Sequence, residues 1–405
     1  MHKRLLHVAM RILIVTETLV LGGAETFVLR LARRLRIDGY AAEILCLNPD
    51  LENAALVAQY PDVPIHRLPM TGLRTVKRID RVMQRLGIDL DLQQRRAARW
   101  VGRNLAARYD VYHGNLFGAD WLLTLVKRRH QEMKIVSTLH GDYVLYEASR
   151  PGTETSRILH WRAKLADVLA SVDHWVTISP AQHHQFVETF RVDPAILADI
   201  PNGYAPSNAI PPPAQRHGAA TRFVMVARGM REKGWGFLVA AFARLEGDVS
   251  LTLIGEGAYL DELKRQSRVT NIHFTGAHPN PVELIGQSDS FIHPSIYAAE
   301  SMPTVIVEAL FAGLPVIATD IGSVATMIAA PSGELAGQLL VPNEATLVDD
   351  LTAAMQAYVD DPALRARHAA LAPAAFAKFD MGRCAAAYAS LYAEVTTSSS
   401  TKASH

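Results

Sequence analysis

The sequence predicts an α/β protein made of two Rossmann-like domains that face each other across a cleft. Three observations lead to this prediction: a length of 405 residues, an alternation of short apolar runs with helical patterns, and a proline-rich break near the middle. This length exceeds what one ordinary hydrophobic core supports and suits two domains. Alternating strands and helices favour parallel sheets that helices cover on both faces.

The first half of the chain contains five short apolar runs that predict buried strands. These runs are Ile12–Val15, Ala42–Leu47, Val111–His113, Ile135–Leu139 and Trp175–Ile178. Apolar residues at helical spacing predict a helix over Ala24–Leu35. Residues 73–108 are also helical in pattern, and they hold ten basic but only three acidic residues.

The second half repeats the pattern after a break. Pro201–Gly218 contains five prolines, a composition typical of a linker. Strands are then predicted at Phe223–Val226, Ser250–Ile254, Ile272–Phe274, Ser290–His293 and Val316–Ala318. We therefore predict a first domain over 1–205, a linker over 206–218, a second domain over 219–372, a helix over 373–395 that packs back on the first domain, and a disordered tail over 396–405.

Charge and cysteine content narrow the class of protein. Residues 1–200 hold 27 Lys/Arg and 21 Asp/Glu, a net of +6, whereas the remainder hold 14 and 19, a net of −5. This asymmetry favours an anionic partner for the first half, and the lack of aromatics among the basic runs argues against nucleic acid. Only Cys46 and Cys384 are present, which excludes a disulfide framework and suits a reducing compartment.

No apolar stretch reaches about 18 residues without a charge or a helix breaker, so no transmembrane segment is predicted. The first ten residues lack the apolar core of a signal peptide, and Met10 is an alternative start to Met1. We therefore expect a cytoplasmic protein.

The most informative stretch runs from His293 to Asp320. Ser301-Met302-Pro303 reads as the entry to a helix, with Pro303 at the first helical position. The amides near Thr304 and Val305 then lack intrahelical acceptors, which makes them a natural anion site.

Two acidic residues belong to this stretch. Glu308 lies among apolar residues of the predicted helix, and a buried carboxylate needs partners. It lies one turn, about 5.4 Å, from the free amides, a separation that suits the diphosphate and ribose of one nucleotide. Glu300 lies in the preceding loop and could reach the sugar end. The alternative is that Glu308 points to solvent or pairs with an arginine.

Two cations follow the first strand of the second domain. Arg228 and Lys233 lie on a glycine-containing loop, where a guanidinium fork and an ammonium would suit a diphosphate. They would neutralise the leaving group, as a metal does elsewhere. No Asp-x-Asp motif follows a strand, since Asp89-Leu90-Asp91 lies in the basic helical segment. The alternative is a solvated surface loop.

Three residues at strand ends of the first domain are further candidates. Gly23, in a glycine pair after the first strand, would let backbone approach a phosphate or sugar. The pair is not G-x-G-x-x-G, so a dinucleotide cofactor is disfavoured. His140 ends a strand and should face the cleft, where it could bind the reacting sugar, and His113 could help to hold an acceptor. Structural histidines are the alternative for both.

Several of these motifs resemble the landmarks of retaining GT-B glycosyltransferases of family 4, also called group 1. Glu300, seven intervening residues and then Glu308 resemble the family signature, which continues through Ala309–Thr319. Further landmarks occur in family order at Gly22–Glu25, Ile200–Gly203, Arg228 with Lys233-Gly234, Ile254–Gly257 and Ile272–Gly276. The resemblance covers about Met10 to Glu394.

The resemblance implies a function and a role for each candidate. The chain would transfer a hexose-type sugar from a nucleotide-diphosphate sugar to a glycan or lipid-linked acceptor, with retention and without an obligatory metal or other cofactor. The leaving phosphate oxygen would take the acceptor proton, so no protein base is nominated. The implied contacts are Glu308 to the ribose, Glu300 and His140 to the donor sugar, Arg228 and Lys233 to the diphosphate, Gly23 to phosphates or acceptor, and the backbone around His278 to the base.

One departure concerns specificity. Many relatives have an aromatic residue and glycine after the first glutamate, where this chain has Ser301-Met302-Pro303. This variant resembles enzymes of polysaccharide and lipid-linked glycan synthesis, which implies a role in making cell-surface polysaccharide or glycolipid.

Two other functions stay open: a nucleotide-sugar epimerase of the same layout, and a catalytically inactive nucleotide-sugar-binding protein. A further hypothesis places the basic segment 73–108 on an anionic lipid surface at the inner face of the membrane. Its alternative is an ordinary solvated helix face.

Overall fold

A computed structural model describes residues 9–69, 73–86, 88–140, 164–206, 220–278 and 280–397. The chain divides into two compact units: unit 1 consists of Met1–Gly203 and Met381–His405, and unit 2 is the intervening Tyr204–Asp380. The two ends of unit 2 lie side by side, because the Tyr204 amide donates a hydrogen bond to the Phe379 carbonyl at 2.7 Å. Unit 2 is thus inserted into the sequence of unit 1.

Unit 1 is built on a sheet of seven parallel strands. They are β1 (Arg11–Thr16), β2 (Ala41–Cys46), β3 (Ile65–Arg67), β4 (Val111–Asn115), β5 (Ile135–Thr138), β6 (His174–Thr177) and β7 (Leu197–Asp199). Their order is β3-β2-β1-β4-β5-β6-β7, with Ile14 of β1 opposite both Ile44 and His113. The order reverses between β1 and β4, the position where ligands bind in open α/β sheets.

Helices cover both faces of this sheet, so Ile12 through Val15 of β1 are fully buried. Those before residue 204 are α1 (Gly23–Ile37), α2 (Ala54–Val57), α3 (Leu73–Arg85), α4 (Leu92–Asn104), α5 (Phe117–Lys127), α6 (164–171) and α7 (Pro180–Glu188).

The basic segment forms the pair α3 and α4. The Asp80 carboxylate of α3 accepts hydrogen bonds from the amides of Leu92 at 3.0 Å and Gln93 at 2.7 Å. The first amides of a helix have no acceptor within that helix, and Asp80 supplies one for α4. The N-cap residue of α4, Asp91, makes no such side-chain hydrogen bond itself. This contact fixes α3 to α4.

Unit 2 is built on a sheet of six parallel strands. They are β8 (Thr221–Val226), β9 (Val249–Ile254), β10 (Ile272–Gly276), β11 (Ser290–His293), β12 (Val316–Thr319) and β13 (Gly337–Leu340), in the order β10-β9-β8-β11-β12-β13. The helices are α8 (Trp235–Phe242), α9 (Ala258–Gln266), α10 (Val282–Ile285), α11 (Thr304–Phe311), α12 (Val324–Ile328), α13 (Leu347–Asp360) and α14 (Pro362–Phe376). The core includes the fully buried Trp235, Phe291 and Tyr358.

The predicted α/β class with two parallel sheets is confirmed. Every predicted strand is present, with ends that differ by at most two residues. The strands that the sequence did not predict are β3, β7 and β13, and all three are sheet edges. An edge strand is not buried on both faces, so it lacks the continuous apolar run that identifies a central strand.

The prediction of a C-terminal helix that packs back on the first domain is confirmed, because Met381–His405 belongs to unit 1, but the predicted bounds of 373–395 are wrong. The helix α14 ends at Phe376, and α15 (Met381–Thr397) begins after a short 3₁₀ turn. Asp380 interrupts the helical pattern because its backbone is extended and pairs with Tyr204 in a β-bridge. Alanines continue on both sides of this break, so the apolar pattern conceals it.

Two other predicted segments fall mostly outside the described residues. Of the predicted linker over 206–218, only Pro206 is described. Of the predicted disordered tail, Thr396 and Thr397 belong to α15 instead, and 398–405 lie outside the described residues. Within the part of the chain that the structure describes, no helix is both long and apolar enough to cross a bilayer.

Candidate active site

Three polar side chains meet at the carboxyl ends of β4 and β5 in unit 1. His140 lies two residues beyond β5, and its Nε2 is 2.9 Å from Asn115 Oδ1. The Asn202 amide nitrogen donates to His140 Nδ1 at 3.2 Å, so Nε2 carries the ring proton and donates to Asn115. Burial lowers the pKa of His140, which keeps this imidazole neutral.

These bonds bear on the predicted role of His140. Because the protein already engages both ring nitrogens, a contact between the imidazole and a donor sugar requires that one of these bonds be exchanged. The sugar contact stays a prediction. Asn202 belongs to the Ile200–Gly203 landmark, and its hydrogen bond to His140 is a structural role for that landmark. Its neighbour Gly203 has no room for a side chain, since a Cβ there would lie 2.6 Å from Cys384 Cβ.

His113 is part of the interior of unit 1. Its ring is fully buried, with Nδ1 2.7 Å from the Tyr392 hydroxyl and Nε2 2.9 Å from Thr138 Oγ1. Thr138 also bonds the Tyr388 hydroxyl at 2.9 Å. Burial, with His140 nearby, lowers the pKa of His113 to about 3. The expectation that His113 helps to hold an acceptor is wrong.

Gly23 begins α1, directly after the loop that follows β1. The adjacent Gly22 is the N-cap in an extended conformation. Glu25, in the first turn, is buried and accepts a hydrogen bond from Thr18 Oγ1 at 2.9 Å. The structure therefore places Gly23 at the carboxyl edge of the sheet, and its approach to phosphates or acceptor stays a prediction.

The Asp89-Leu90-Asp91 sequence serves a structural role. Lys164 Nζ lies 2.8 Å from Asp89 Oδ2 and 3.2 Å from Asp91 Oδ1. The Trp121 indole N–H also donates to Asp91. Among the described residues, no group of three or more His, Cys, Asp or Glu side chains could hold a metal ion.

In unit 2, two predicted site residues contact each other directly. Lys233 Nζ donates a hydrogen bond to Glu300 Oε2, and the Ser295 hydroxyl donates to the same oxygen at 3.1 Å. Lys233 also lies over the Tyr297 ring, 4.8 Å from its centroid. Burial opposes ionisation of Glu300, but His293 and Lys233 outweigh it and hold the pKa of Glu300 below its usual value. The pair is therefore an ion pair at neutral pH.

The loop that carries Arg228 and Lys233 is held by backbone contacts. The Gly229 amide donates to the Glu256 carbonyl at 2.7 Å, and the Trp235 indole donates to the Arg228 carbonyl at 2.8 Å. A Cβ at Gly229 would lie 2.7 Å from the Glu256 carbonyl oxygen, so only glycine allows the two backbone segments to lie this close together. The Arg228 side chain is exposed. The loop thus buries Lys233 and presents Arg228 to solvent.

The helix with Glu308 begins one residue later than predicted. Pro303 is the N-cap of α11, and Thr304 and Val305 are its first two residues. Glu308 is buried on this helix. The loop before α11 packs closely against Gly322. An added Cβ at Gly322 would lie 2.3 Å from the Glu300 carbonyl oxygen. Just before α11 begins, the Glu300 loop therefore lies directly against the backbone at Gly322.

His278 follows β10, and the Asn280 amide donates to its Nδ1 at 3.1 Å. The structure brings together Lys233 and Glu300, and it places Arg228, Thr304, Val305, Glu308 and His278 on segments that follow strands of the same sheet. Sequence reasoning did not single out two residues beside Glu300, namely Ser295 and His293. The only sequence signal for them is their position at the end of β11.

Two family models match the chain. The Glycosyltransferase Family 4 model matches residues 21–208, and the model described as Glycosyl transferases group 1 matches residues 220–361. Over 272 residues the chain is 24% identical to the phosphatidylinositol N-acetylglucosaminyltransferase gpi3 subunit of Schizosaccharomyces pombe, covering 64% of this chain and 57% of that subunit. Over 106 residues it is 34% identical to the putative teichuronic acid biosynthesis glycosyltransferase TuaC of Bacillus subtilis, covering 26% of each.

The matches thus span little more than half of the yeast subunit and about a quarter of TuaC. Among solved structures, HepE of Anabaena in complex with UDP and glucose has the same fold, with a TM-score of 0.72 at 19% identity over 95% of this chain and 100% of that one. Because the two family models together match most of the chain, one in each unit, the protein belongs to the group 1 glycosyltransferases with the GT-B fold.

Proposed function

We propose that this chain transfers a hexose-type sugar from a nucleotide-diphosphate sugar to a glycan or lipid-linked acceptor, with retention of configuration and without an obligatory metal. The buried ion pair of Lys233 and Glu300, which lies beside α11, is the main support for this proposal. Buried charges are costly, and their presence at the carboxyl edge of a parallel sheet favours a role in binding over a role in stability.

In this proposal each group of the site has a separate role. Lys233 and Arg228 neutralise the diphosphate as the glycosidic bond breaks. The first amides of α11, at Thr304 and Val305, add partial positive charge. Glu308 accepts hydrogen bonds from the ribose hydroxyls, and Glu300 accepts them from the donor sugar. The leaving phosphate oxygen takes the acceptor proton as that acceptor bonds the anomeric carbon on the same face, so configuration is retained.

The names of similar proteins support one class of nucleotide-sugar donor and one class of product. HepE was solved with UDP-glucose, and the yeast subunit is named as an N-acetylglucosaminyltransferase. UDP sugars are therefore the first donors to test. TuaC is named for teichuronic acid biosynthesis, which supports a role in cell-surface polysaccharide or glycolipid synthesis.

The donor site is tested by thermal unfolding with UDP, GDP and ADP sugars. We expect one base class to stabilise the chain, by about 2.7 kcal/mol at a concentration 100 times its Kd. Glu308→Ala should abolish this stabilisation, whereas Glu344→Ala, an exposed glutamate of the same unit, should retain it. If no donor stabilises folded protein, or if both variants respond equally, the proposed donor site is wrong.

Turnover separates a transferase from the two alternative functions. A transferase releases free nucleoside diphosphate only when an acceptor is present. Interconversion of the nucleotide sugar without acceptor would indicate an epimerase, and binding without any product would indicate an inactive binding protein. The anomeric configuration of the product, measured by NMR, decides retention, and activity in EDTA decides whether a metal is needed.

We further propose that α3 lies on an anionic lipid surface at the cytoplasmic face of a membrane. Its apolar side chains at Ile79 and Val82 are 44% and 55% exposed, and Leu86, just after the helix, is 68% exposed. Arg78, Arg81 and Arg85 are exposed beside them. An exposed apolar stripe flanked by arginines is typical of helices that lie in a bilayer interface.

Co-sedimentation with vesicles tests this surface. Phosphatidylserine vesicles at low salt should retain the chain, and Leu86→Asp should release most of it. Val341→Asp is a matched control, because Val341 in unit 2 is equally exposed at 68%. Absence of binding at low salt, or equal loss in the two variants, would exclude the lipid surface.

A further inference from the structure

One oxygen of Glu300 is surrounded by three side chains. Oε2 accepts hydrogen bonds from Lys233 and from Ser295, and His293 Nε2 lies 3.6 Å away from it. His293 is the last residue of β11 and only 2% of it is exposed. A buried imidazole therefore lies beside the carboxylate, at a distance slightly longer than a hydrogen bond.

The imidazole of His293 makes no hydrogen bond within the part of the chain that the structure describes. Both ring nitrogens are buried without a hydrogen-bond partner there, although Nε2 lies 3.6 Å from Glu300 Oε2. A buried polar group without a partner destabilises a fold, and apolar residues of similar size would fill this position at lower cost. This arrangement indicates that the imidazole gains a partner in another state of the site.

The proposed function supplies that state. Lys233 pairs with Glu300 in this structure, yet it is also the ammonium that a donor diphosphate would attract. When Lys233 turns to the phosphate, the buried carboxylate loses its cation and retains the Ser295 hydroxyl. The titratable groups that act on this carboxyl are Lys233, from the loop after β8, and His293, from β11. A shift of about 0.6 Å would bring His293 within ordinary hydrogen-bond distance of Oε2.

We propose that His293 is a positioning residue for sugar transfer, holding the Glu300 carboxylate in place when Lys233 engages the donor diphosphate. The role rests on the proposed function, but the contact between His293 and Glu300 does not. Both can therefore be tested separately, with His293→Leu, which removes the ring nitrogens, and His293→Gln, which keeps a side-chain N–H donor.

The contact is tested without activity. His293→Leu should lower the melting temperature at pH 7, where Glu300 is ionised. The loss should be much smaller when the same substitution is made in a Glu300→Gln background, because the carboxylate that His293 faces is then absent. A loss of the same size in both backgrounds would mean ordinary packing and would overturn the proposal.

The positioning role is tested by turnover. His293→Leu should lower kcat at least tenfold and change the donor KM less than threefold, with the acidic limb of the kcat profile moved to higher pH. His293→Gln should recover most of kcat. Equal kcat values for the Leu and Gln variants would overturn the role. If the unaltered chain transfers no sugar from any donor, the proposed function fails, while the melting-temperature cycle still decides whether His293 holds Glu300.

Discussion

Replacing Lys233 with alanine is expected to destabilise unit 2 and to abolish sugar transfer. The substitution removes the cation from a buried ion pair and leaves the Glu300 carboxylate with the Ser295 hydroxyl and the nearby His293. Removing one partner of a buried pair costs about 3–5 kcal/mol in the free energy of unfolding. The loss of a charge aimed at the leaving diphosphate should lower kcat on the order of 100-fold or more.

The pH dependence and a double variant identify the cause. The loss of unfolding free energy in Lys233→Ala should be largest near neutral pH. It should shrink as pH falls below the ordinary carboxyl range, because Glu300 in the variant then becomes protonated and carries no unpaired charge. Combining Lys233→Met with Glu300→Gln should restore most of the stability but none of the activity. The control is Lys264→Ala, at an exposed position of α9. Equal stability and equal turnover of the Lys233 and Lys264 variants would refute the prediction.

The second large effect is expected at the glycine after Lys233. Gly234 has a φ of +83°, and a Cβ there would lie 2.0 Å from the Pro294 carbonyl oxygen. Alanine in left-handed backbone costs about 1–2 kcal/mol, and the backbone clash adds about 1–3 kcal/mol. Gly234→Ala should therefore lower the free energy of unfolding by about 3 kcal/mol or more. It should also weaken donor binding, because relief of the clash moves Lys233.

Gly313 provides the matched control for this substitution. Its φ of +73° is similar, but nothing lies within 4 Å of an added Cβ. Gly313→Ala should show the backbone cost alone, about 1–2 kcal/mol, with donor binding unchanged. Urea unfolding and UDP titration of the two variants measure both effects. If Gly313→Ala is as destabilising as Gly234→Ala, the close approach to Pro294 is not the cause.

The sequence predicts the central strands well because they are buried on both faces and appear as short apolar runs, as Ile12–Val15 does. The edge strand Ile65–Arg67 has only three residues, of which one is apolar, so it cannot be distinguished from a loop in the sequence. The break at Asp380 depends on a bridge to Tyr204, which lies 176 positions earlier and leaves no local pattern.

The candidate site shows the same limit. The residue types and their order identify Lys233, Glu300 and Glu308, because a family landmark contains each of them. The pairing of Lys233 with Glu300 spans 67 positions and arises only when β8 and β11 lie side by side. The contact of Asn202 with His140 likewise depends on tertiary structure. A histidine at a strand end, such as His113 or His293, looks the same in sequence whether it faces the interior or a site.

The insertion of unit 2 into unit 1 has a consequence for biosynthesis. A ribosome makes all seven strands of the first sheet before it reaches the helix that carries Tyr388 and Tyr392. Until that helix emerges, His113 and Thr138 lack the hydroxyl groups that they bond in the finished protein. Residues 204–380, whose ends are already paired, can complete their fold while still attached to the ribosome. The first sheet, although it is translated first, therefore gains its last contacts only after residues 204–380 have been made.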